Sequence, residues 1–388
     1  MITLIIIFWL SVFLLAHSYL LYPLILQIFA GNRTPNTIVY KENEQLPFVS
    51  IIMSVYNEKE IITDKINSIY NTGYPLDKFE VITGSDASDD GTNEICEKFQ
   101  EKYNNFRFFP FINRQGKPAV INQLTERAKG NILILTDAKV IFTSDTIYEI
   151  VKHFRNEKIH IVGGNILNKK ISKDGISRQE KAFMNREIII KNNEGILWGQ
   201  TIGIYGAIYG IRKSSFTKIP EGFSVDDFFV TMNVLNKGGF AIMNLDAVTV
   251  EDVPNLLVTE FKRKVRISAG NFQNLIYFSS FFWPPFTSLA FAFLSHKVIR
   301  WLGPFFILFA FISNLFLIQL SYFYLITCLV QLVLFILPVI DLFLRKINLH
   351  IVFLRFITHF FAMNSALFVG FIKILSGKKT NIWQPTRR

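Results

Sequence analysis

The stretch FEVITGSDASDDGT, residues 79–92, decides the fold of this chain. Its first five residues are rich in Val, Ile, Phe and Thr, which is typical of a buried strand. The next segment, residues 93–103, places Ile95, Phe99 and Tyr103 at roughly helical spacing. The stretch therefore predicts a strand, an acidic loop and a helix. Ligands of open α/β sheets bind at the carboxyl ends of strands, so we expect the loop carboxylates to face a ligand.

The same alternation of strands and helices continues on both sides of this stretch. LPFVSIIMSVYNEKE (46–60) predicts a buried strand ending at Asn57 and Glu58, and NILILTDAK (131–139) predicts another that ends at Asp137. Further strands are predicted within 106–111, 159–165, 205–216 and 241–252. Further helices are predicted within 61–69, 147–154, 176–197 and 224–240. The alternation predicts an α/β fold with a mostly parallel sheet flanked by helices.

The composition shows that part of the chain lies in lipid. Half of the 388 residues are hydrophobic, and the mean hydropathy is +0.31, too apolar for a soluble domain alone. Residues 1–30 contain no charged side chain and can span about 30 Å of hydrocarbon as a helix. Because no basic region precedes this run and it is long, we expect a retained N-terminal transmembrane anchor and not a cleaved signal.

The C-terminal part predicts about three further transmembrane helices, within residues 301–375, followed by a basic tail at 376–388. The three apolar runs are 302–320, 322–344 and 352–375. Residues 276–300 are aromatic but interrupted by two prolines, which favours an interfacial helix region. Polar groups inside the last run should face a protein interior or the interface. They are Arg355, His359 and Asn364.

The formal charge of +11 is compatible with nucleic acid, an anionic membrane surface or a phosphorylated substrate as partner. The sequence has no arginine-rich tract or RNA-binding signature, which argues against nucleic acid. The positive-inside rule places residues 31–300 in the cytoplasm, together with Arg345 and Lys346. An odd number of C-terminal spans would then place the basic tail outside, in conflict with the same rule.

Four polar clusters follow predicted strands or begin predicted helices. They are Asn57 with Glu58; Asp86 with Ser88, Asp89 and Asp90; Asp137 with Lys139; and Asp226 with Asp227. Three have ordinary structural explanations as a helix N-cap, an Asp/Ser turn and a complement to a helix dipole. Asp137 follows a buried strand, where a charged carboxylate needs a partner. Mg²⁺ is one possible partner, because it binds one or two carboxylates plus substrate phosphates. Asp226 and Asp227, besides complementing a helix dipole, could repel each other. The pKa of one of them would then be raised, and that carboxylate could act as a general base.

A basic run follows the last predicted strand and supplies the opposite charge. It consists of Lys262, Arg263, Lys264 and Arg266. Such a run could hold a diphosphate through bidentate contacts, or could form a polybasic face on an anionic leaflet. Both interpretations can hold for different members of the run.

The order of these motifs over residues 46–275 resembles membrane-bound family 2 glycosyltransferases with the GT-A fold, related to cellulose- and hyaluronan-synthase-like enzymes. The resemblance implies that 46–275 is a catalytic domain between membrane segments. It implies an inverting hexosyltransferase at the cytoplasmic face of the cell membrane, with a role in cell-envelope polysaccharide biosynthesis. The expected partners are a nucleotide-sugar donor, of the UDP-sugar type, a saccharide or lipid-linked acceptor, and the bilayer.

The resemblance also assigns donor-side residues. Asp86 matches the aspartate that contacts the base and ribose of the nucleotide. Asp137 matches the first aspartate of the family's Asp-x-Asp pair, beside the diphosphate and a divalent metal, Mg²⁺ or Mn²⁺. The strand-end segment beneath the nucleotide and the Gly-Lys-Pro loop complete the expected donor site. Their residues are Val55, Asn57, Glu58 and Lys117.

On the acceptor side, Asp227, next to Asp226, matches the general base that ends the family's Glu-Asp signature. Arg266 matches the arginine of the Gln-x-x-Arg-Trp signature, near the diphosphate and the acceptor. Gly206 and Ala207 match the small-residue loop near the acceptor.

Three departures from the family pattern affect these expectations. Lys139 replaces the second aspartate of the Asp-x-Asp pair, so a metal would depend on Asp137 alone, or Lys139 itself would neutralise phosphate charge. Arg263 stands in place of the signature Gln, and Ile267 in place of its Trp, which puts processive polymerisation in doubt. Two alternatives stay open: a processive polysaccharide synthase, and a catalytically silent nucleotide-binding membrane scaffold.

Overall fold

The computed structural model describes residues 1–41, 44–169, 171 and 175–377, so most of the predicted basic tail lies outside the described residues. Strands of this part of the chain are β1 Val49–Val55, β2 Phe79–Asp86, β3 Phe106–Phe111, β4 Ile132–Thr136, β5 Ile141–Phe142, β6 Ile159–Lys169, β7 Ile208–Arg212 and β8 Phe240–Asp252. They form one sheet in the order β3-β2-β1-β4-β7-β6-β8-β5.

The α-helices alternate with these strands and then follow them. They are α1 Ile2–Ala16, α2 Tyr22–Ala30, α3 Ile62–Tyr70, α4 Thr92–Lys102, α5 Lys117–Arg127, α6 Thr146–Val151, α7 Ser177–Trp198, α8 Asp226–Asn236, α9 Leu257–Tyr277, α10 Ser288–Phe293, α11 Ile299–Trp301, α12 Gly303–Leu317, α13 Tyr322–Lys346 and α14 Val352–Leu375. The basic run, for which the sequence indicated only charge, forms part of α9.

The predicted α/β fold is confirmed, and the sheet is mixed. The pairs β3–β2, β2–β1 and β1–β4 are parallel, and so is the pair β6–β8. Strand β7 is antiparallel to both β4 and β6, and the two-residue β5 is antiparallel to β8. In this register Val55 lies opposite Ser85, and Ile52 opposite Leu135. The carboxyl ends of β1, β2 and β4 therefore meet at one edge of the sheet.

The buried strands alternate between two hydrophobic cores, one on each face of the sheet. Ile51 and Ile134 belong to one core, while Ile52 and Leu135 belong to the other. A strand that is covered on both faces reads as a continuous apolar run, which is why the runs in the sequence marked these strands clearly. Strand β5 has only two residues, too few to show a period, and the sequence did not reveal it.

Three helices in the described part of the chain are long and apolar enough to cross a membrane, and one is N-terminal, as predicted. They are Ile2–Ala30, α13 and α14. The run expected to span at 302–320 differs, because α12 is only 15 residues long and meets the helical segment Ser288–Trp301 at a 64° bend. Pro304 stands at this bend and cannot continue the hydrogen-bond ladder of the preceding helix. The bent pair is either one broken span or a re-entrant segment.

The polar residues of α14 face protein, as expected. Arg355 is buried against Asp341 of α13 at 3.3 Å and also donates to the carbonyl of Gly175 at 2.9 Å. His359 contacts Glu180 of α7 at 2.6 Å. These pairs satisfy charges that would be costly in lipid, and they tie the last span to the soluble domain.

Candidate active site

Asp86 ends β2 and is held by the loop that precedes α5. Its carboxylate accepts hydrogen bonds from the backbone N–H of Gln115 at 2.7 Å and of Gly116 at 3.0 Å, and from Nε of Arg114 at 3.3 Å. Gly116 has a φ of 88°, a backbone conformation that a residue with a side chain rarely adopts. The loop therefore fixes the carboxylate at the carboxyl edge of the sheet, where the sequence placed it.

The segment that follows β1 is bound to the acidic loop. Asn57, at a φ of 52°, donates to Asp89 through Nδ2 at 2.8 Å and accepts from the N–H of Asp89 at 3.0 Å. The N–H of Glu58 donates to Thr92 Oγ1 at 3.0 Å. The amide of Asn57 thus shapes the loop that starts at Ala87, and does not point freely toward a ligand.

Lys117 joins two carboxylates that lie far apart in the sequence. Its Nζ is 2.7 Å from Asp137 Oδ1 and 3.6 Å from Asp226 Oδ2. Burial alone would lower the pKa of Lys117, but the charges of Asp137 and Asp226 raise that pKa above its usual value. The lysine is therefore protonated across the physiological range and compensates both carboxylates.

Asp227, the residue that the sequence suggested as a general base, lies in the first turn of α8. Its Oδ2 accepts from the backbone N–H of Gly206 at 2.6 Å, and its Oδ1 from its neighbour's N–H, that of Phe228, at 2.7 Å. Burial and then the charge of Asp226 raise the pKa of Asp227 above its usual value, against the charge of Lys117. The side chain is thus a stronger proton acceptor than an exposed aspartate.

The backbone connects this base to the end of β4. The N–H of Asp137 donates to the carbonyl of Ala207 at 3.1 Å, and the adjacent Gly206 binds Asp227. A Cβ at Gly206 would lie 3.0 Å from Asp227 Oδ2, which explains the need for glycine there. The carboxylates of Asp86, Asp137, Asp226 and Asp227 therefore converge at one edge of the sheet.

The basic run divides between two regions. Arg266 is the member that the site's carboxylates act on: burial and then the charge of Arg263 lower its pKa, while Asp226, Asp137 and Asp227 oppose this shift. Arg263 instead pairs with Glu260 at 3.0 Å. Lys264 pairs with Glu180 at 3.3 Å, and Lys262 is exposed. Of the four cations proposed to hold a diphosphate, Arg266 is the one whose pKa responds to the charges of Asp226, Asp137 and Asp227.

Lys139 contacts Glu58, with Nζ 3.8 Å from Oε1, and its pairing brings together two residues that the sequence placed in the donor site. The described residues contain no group of three or more His, Cys, Asp and Glu arranged to hold a metal ion. Asp137 retains a side chain that is 43% exposed and can offer an oxygen. Because Mg²⁺ often uses one or two carboxylates plus substrate phosphates, these residues fit a metal shared with a diphosphate.

Arg114 is a site residue that the sequence did not reveal. Besides bonding to Asp86, its guanidinium lies 3.4 Å from the centroid of the Tyr56 ring. It therefore contacts both the end of β2 and the segment that follows β1. The signal was its position three residues before Lys117 in the loop motif, but a lone arginine in a loop is not distinctive.

The mixed sheet with acidic strand ends, a Gly-Lys-Pro loop and an aspartate pair at a helix start agrees with the GT-A fold that the sequence predicted. Residues 50–219 match the model of Glycosyl transferase family 2. This segment, slightly less than half of the chain, is similar to that family, which confirms the resemblance predicted from the sequence.

Three relatives and neighbours illustrate the range of similarity. The chain is 34% identical to Glycosyltransferase AglE of Haloferax volcanii over 121 residues, 31% of this chain and 40% of AglE. It is 26% identical to the probable glycosyltransferase YdaM of Bacillus subtilis over 244 residues, 60% of this chain and 57% of YdaM. It is 28% identical to poly-beta-1,6-N-acetyl-D-glucosamine synthase of Staphylococcus epidermidis over 129 residues, 33% of this chain and 31% of that enzyme. The chain thus spans between about a third and three fifths of these relatives.

Among solved structures, a mannosyltransferase, PcManGT from Pyrobaculum calidifontis in complex with GDP-Man and Mn²⁺, is similar over nearly the whole molecule. The TM-score is 0.68 with 19% identity, and the match covers 96% of this chain and 99% of that one. At this identity the similarity establishes the shared fold, which includes the membrane-proximal helices as well as the sheet.

Proposed function

We propose that the protein is an inverting glycosyltransferase that moves a sugar from a nucleotide diphosphate donor to a hydroxyl of a saccharide or lipid-linked acceptor at the membrane. One observation carries this proposal. Asp86, Asp137 and Asp227 lie at one edge of the sheet, and Lys117 contacts the carboxylates of Asp137 and Asp226. The charges of these aspartates at 137, 226 and 227 also act on the pKa of Arg266. Sugar transfer from a nucleotide donor requires a general base for the acceptor hydroxyl, hydrogen-bond acceptors for the nucleoside and cations for the diphosphate.

In the proposed reaction, the acceptor hydroxyl attacks the anomeric carbon while Asp227 takes its proton. The bond from that carbon to the donor phosphate breaks, and the nucleoside diphosphate leaves from the opposite face. The guanidinium of Arg266 offsets negative charge that grows on the leaving group. Lys117 compensates Asp226 and Asp137, so that the base and the diphosphate can lie close together. A divalent metal bound at Asp137 would add Lewis-acid stabilisation of the diphosphate.

The donor site proposed from the structure lies over the strand ends. Asp86 faces the nucleoside, and Val55 to Glu58 form the floor beneath it, as the family resemblance implies. A UDP-sugar is the proposed donor class. PcManGT was solved with GDP-Man, so a donor screen must first determine whether the nucleobase of the donor is uracil or guanine.

We place the domain on the cytoplasmic side of the cell membrane, where the positive-inside rule directs its basic surface. The bent pair Ser288–Trp301 and Gly303–Leu317 supports this topology if it re-enters. Two spans, α13 and α14, then follow the domain, and they return the basic tail to the side of the domain. This arrangement removes the conflict that three C-terminal spans create.

A processive polysaccharide synthase is the second candidate, favoured by the similarity to poly-beta-1,6-N-acetyl-D-glucosamine synthase. Arg263 and Ile267, in place of the signature Gln and Trp, favour transfer of a single sugar instead. The length distribution of the product separates the two. A silent scaffold is disfavoured because the buried Asp227 is retained, together with the contacts of Lys117 with Asp137 and Asp226.

The function is tested by incubating purified protein with a panel of nucleotide sugars and a membrane extract as acceptor. We expect release of nucleoside diphosphate with one or two donors, above the hydrolysis seen without acceptor. The label of a radioactive sugar should appear in a saccharide or lipid product with inverted anomeric configuration. No release with any donor would refute the enzyme proposal and favour the scaffold.

Chelation tests the role of Lys139. If its ammonium supplies part of the charge that a metal would provide, excess EDTA is expected to lower turnover less than in relatives that have both aspartates. Lys139→Asp restores the Asp-x-Asp pair and should make turnover more dependent on metal. Complete loss of wild-type activity with EDTA, restored by Mg²⁺, would contradict a charge-neutralising role for Lys139.

A further inference from the structure

Lys191 is a buried lysine of α7 that the proposed mechanism does not use. It is 3% exposed, and its Nζ lies 3.3 Å from the centroid of the Tyr205 ring. In the part of the chain that the structure describes, its amine has no hydrogen bond and no ion pair. Lys117 and Lys264, by contrast, each contact a carboxylate directly. A buried charge normally requires such a partner, so the position of Lys191 needs an explanation.

The acidic residues nearest to Lys191 on its own helix are already engaged. Glu187, one turn earlier, binds Lys297 at 2.9 Å and also contacts His296 and Arg300. Glu194, one turn later, accepts from the hydroxyl of Tyr22 at 2.8 Å, from the N–H of Ile202 at 3.0 Å, and contacts His296 at 2.8 Å. Both carboxylates serve the junction with the membrane helices, and Lys191 is left facing the ring.

The ring on which Lys191 rests belongs to the loop that holds the candidate base. Tyr205 precedes Gly206, whose N–H donates to Asp227 Oδ2 at 2.6 Å. The Tyr205 hydroxyl is buried without a hydrogen-bond partner among the described residues, so packing and the cation hold this ring in place. An ammonium centred over an aromatic face is attracted by the ring and stabilises both groups.

We propose that Lys191 is a positioning residue for the reaction: its ammonium, seated on the Tyr205 ring, fixes the Gly206 N–H against Asp227 and keeps that carboxylate ionised. The inference rests on the proposed function, because it assigns Lys191 a role through the base of that reaction.

The electrostatic surroundings of Lys191 support this role. Burial, and then the charge of Lys297, lower the pKa of Lys191 to about 7, while Glu187, Asp227 and Glu194 act in the opposite direction. Lys191 in turn lowers the pKa of Asp227, which burial and Asp226 raise. Below neutral pH the lysine is therefore charged, and it keeps Asp227 ionised to a lower pH than burial alone would allow. Loss of the charge should make Asp227 protonate at a higher pH.

The test is the acid limb of the pH profile of kcat. In Lys191→Met we expect the acid limb to move to higher pH by about 0.5–1 unit. This is less than the pKa shift that a charge in direct contact with a carboxylate causes. Turnover on the limb then falls about three- to tenfold. Lys191→Arg keeps a cation over the ring and should leave the limb at its wild-type position. Lys213→Met removes a lysine whose Nζ binds the carbonyl of Ala128, remote from Asp227, and should not shift the limb.

A second pair of variants covers the case in which Lys191→Met does not fold. Tyr205→Leu removes the ring and should shift the limb in the same direction, whereas Tyr205→Phe keeps the ring face and should not. An unchanged limb in both Lys191→Met and Tyr205→Leu would overturn the inference. If Asp227→Asn abolishes turnover in that case, the proposed function survives, whereas wild-type turnover of Asp227→Asn would refute the base itself.

Discussion

Asp227→Asn is expected to lower kcat by about 10²–10⁴-fold, the usual contribution of a general base. The amide cannot accept the proton of the acceptor hydroxyl. The nucleotide contacts proposed for Asp86 lie at the end of β2, whereas Asp227 lies on α8, so the affinity for the nucleoside diphosphate should change little. Turnover is measured by diphosphate release, and affinity by calorimetric titration with the diphosphate alone.

The control for this variant must also begin a helix but lie outside the cluster. Asp145 precedes α6 and interacts with the hydroxyl of Ser144 at 3.0 Å. Asp145→Asn is expected to retain wild-type turnover. If Asp227→Asn turned over as fast as Asp145→Asn, another group would have to be the base. Equal loss of turnover and of nucleotide affinity would instead indicate that the amide disturbs the Gly206 loop.

The sheet and the positions of its catalytic ends could be predicted from local sequence. The β1, β2 and β4 runs are mostly apolar because both faces of these strands are covered, and a polar residue lies at or just after the end of each run. Parallel pairing of neighbouring strands then brings Asp86 and Asp137 to the same edge. The positions of both residues follow from topology, without knowledge of their side-chain contacts.

The contacts that join distant segments could not be predicted in this way. Nothing in the sequence indicates that Lys117 contacts both Asp137 and Asp226, because the pairing depends on how α5 and α8 pack against the sheet. The same holds for the division of the basic run. Arg263 and Arg266 are three residues apart on α9. Arg263 pairs with Glu260, whereas the pKa of Arg266 responds to the charges of Asp226, Asp137 and Asp227.

The bent helix pair shows why hydropathy alone does not fix the number of spans. The apolar run at 302–320 has the composition of a span, but Gly303 and Pro304 interrupt the helix at its start. The preceding segment then supplies His296, Lys297 and Arg300 to carboxylates of α7. The sequence placed these residues in an interfacial helix region, 276–300. In the structure they form the buried contact between the membrane helices and the catalytic domain.

That contact leads to the second large effect, which concerns stability. Glu187 is nearly buried on α7 and receives Lys297 at 2.9 Å and Arg300. Burial would raise the pKa of Glu187, but the charges of Arg300, Lys297 and His296 hold it well below its usual range. Glu187→Gln keeps the shape of the side chain but leaves two buried cations without a carboxylate. We expect a loss of about 3–5 kcal/mol in the free energy of unfolding, measured by thermal or chemical denaturation in detergent.

Glu126→Gln is the matched control, because Glu126 pairs with Lys218 on the surface, where the two side chains are 57% and 73% exposed. Its melting temperature should not change measurably, since exposed ion pairs contribute little. Replacing Glu187, Lys297 and Arg300 together by apolar residues of similar volume should recover most of the stability, because no unpaired charge then remains buried. If Glu187→Gln melted at the same temperature as Glu126→Gln, the ion pairs of Glu187 with Lys297 and Arg300 would not stabilise the contact between α7 and the segment 296–300.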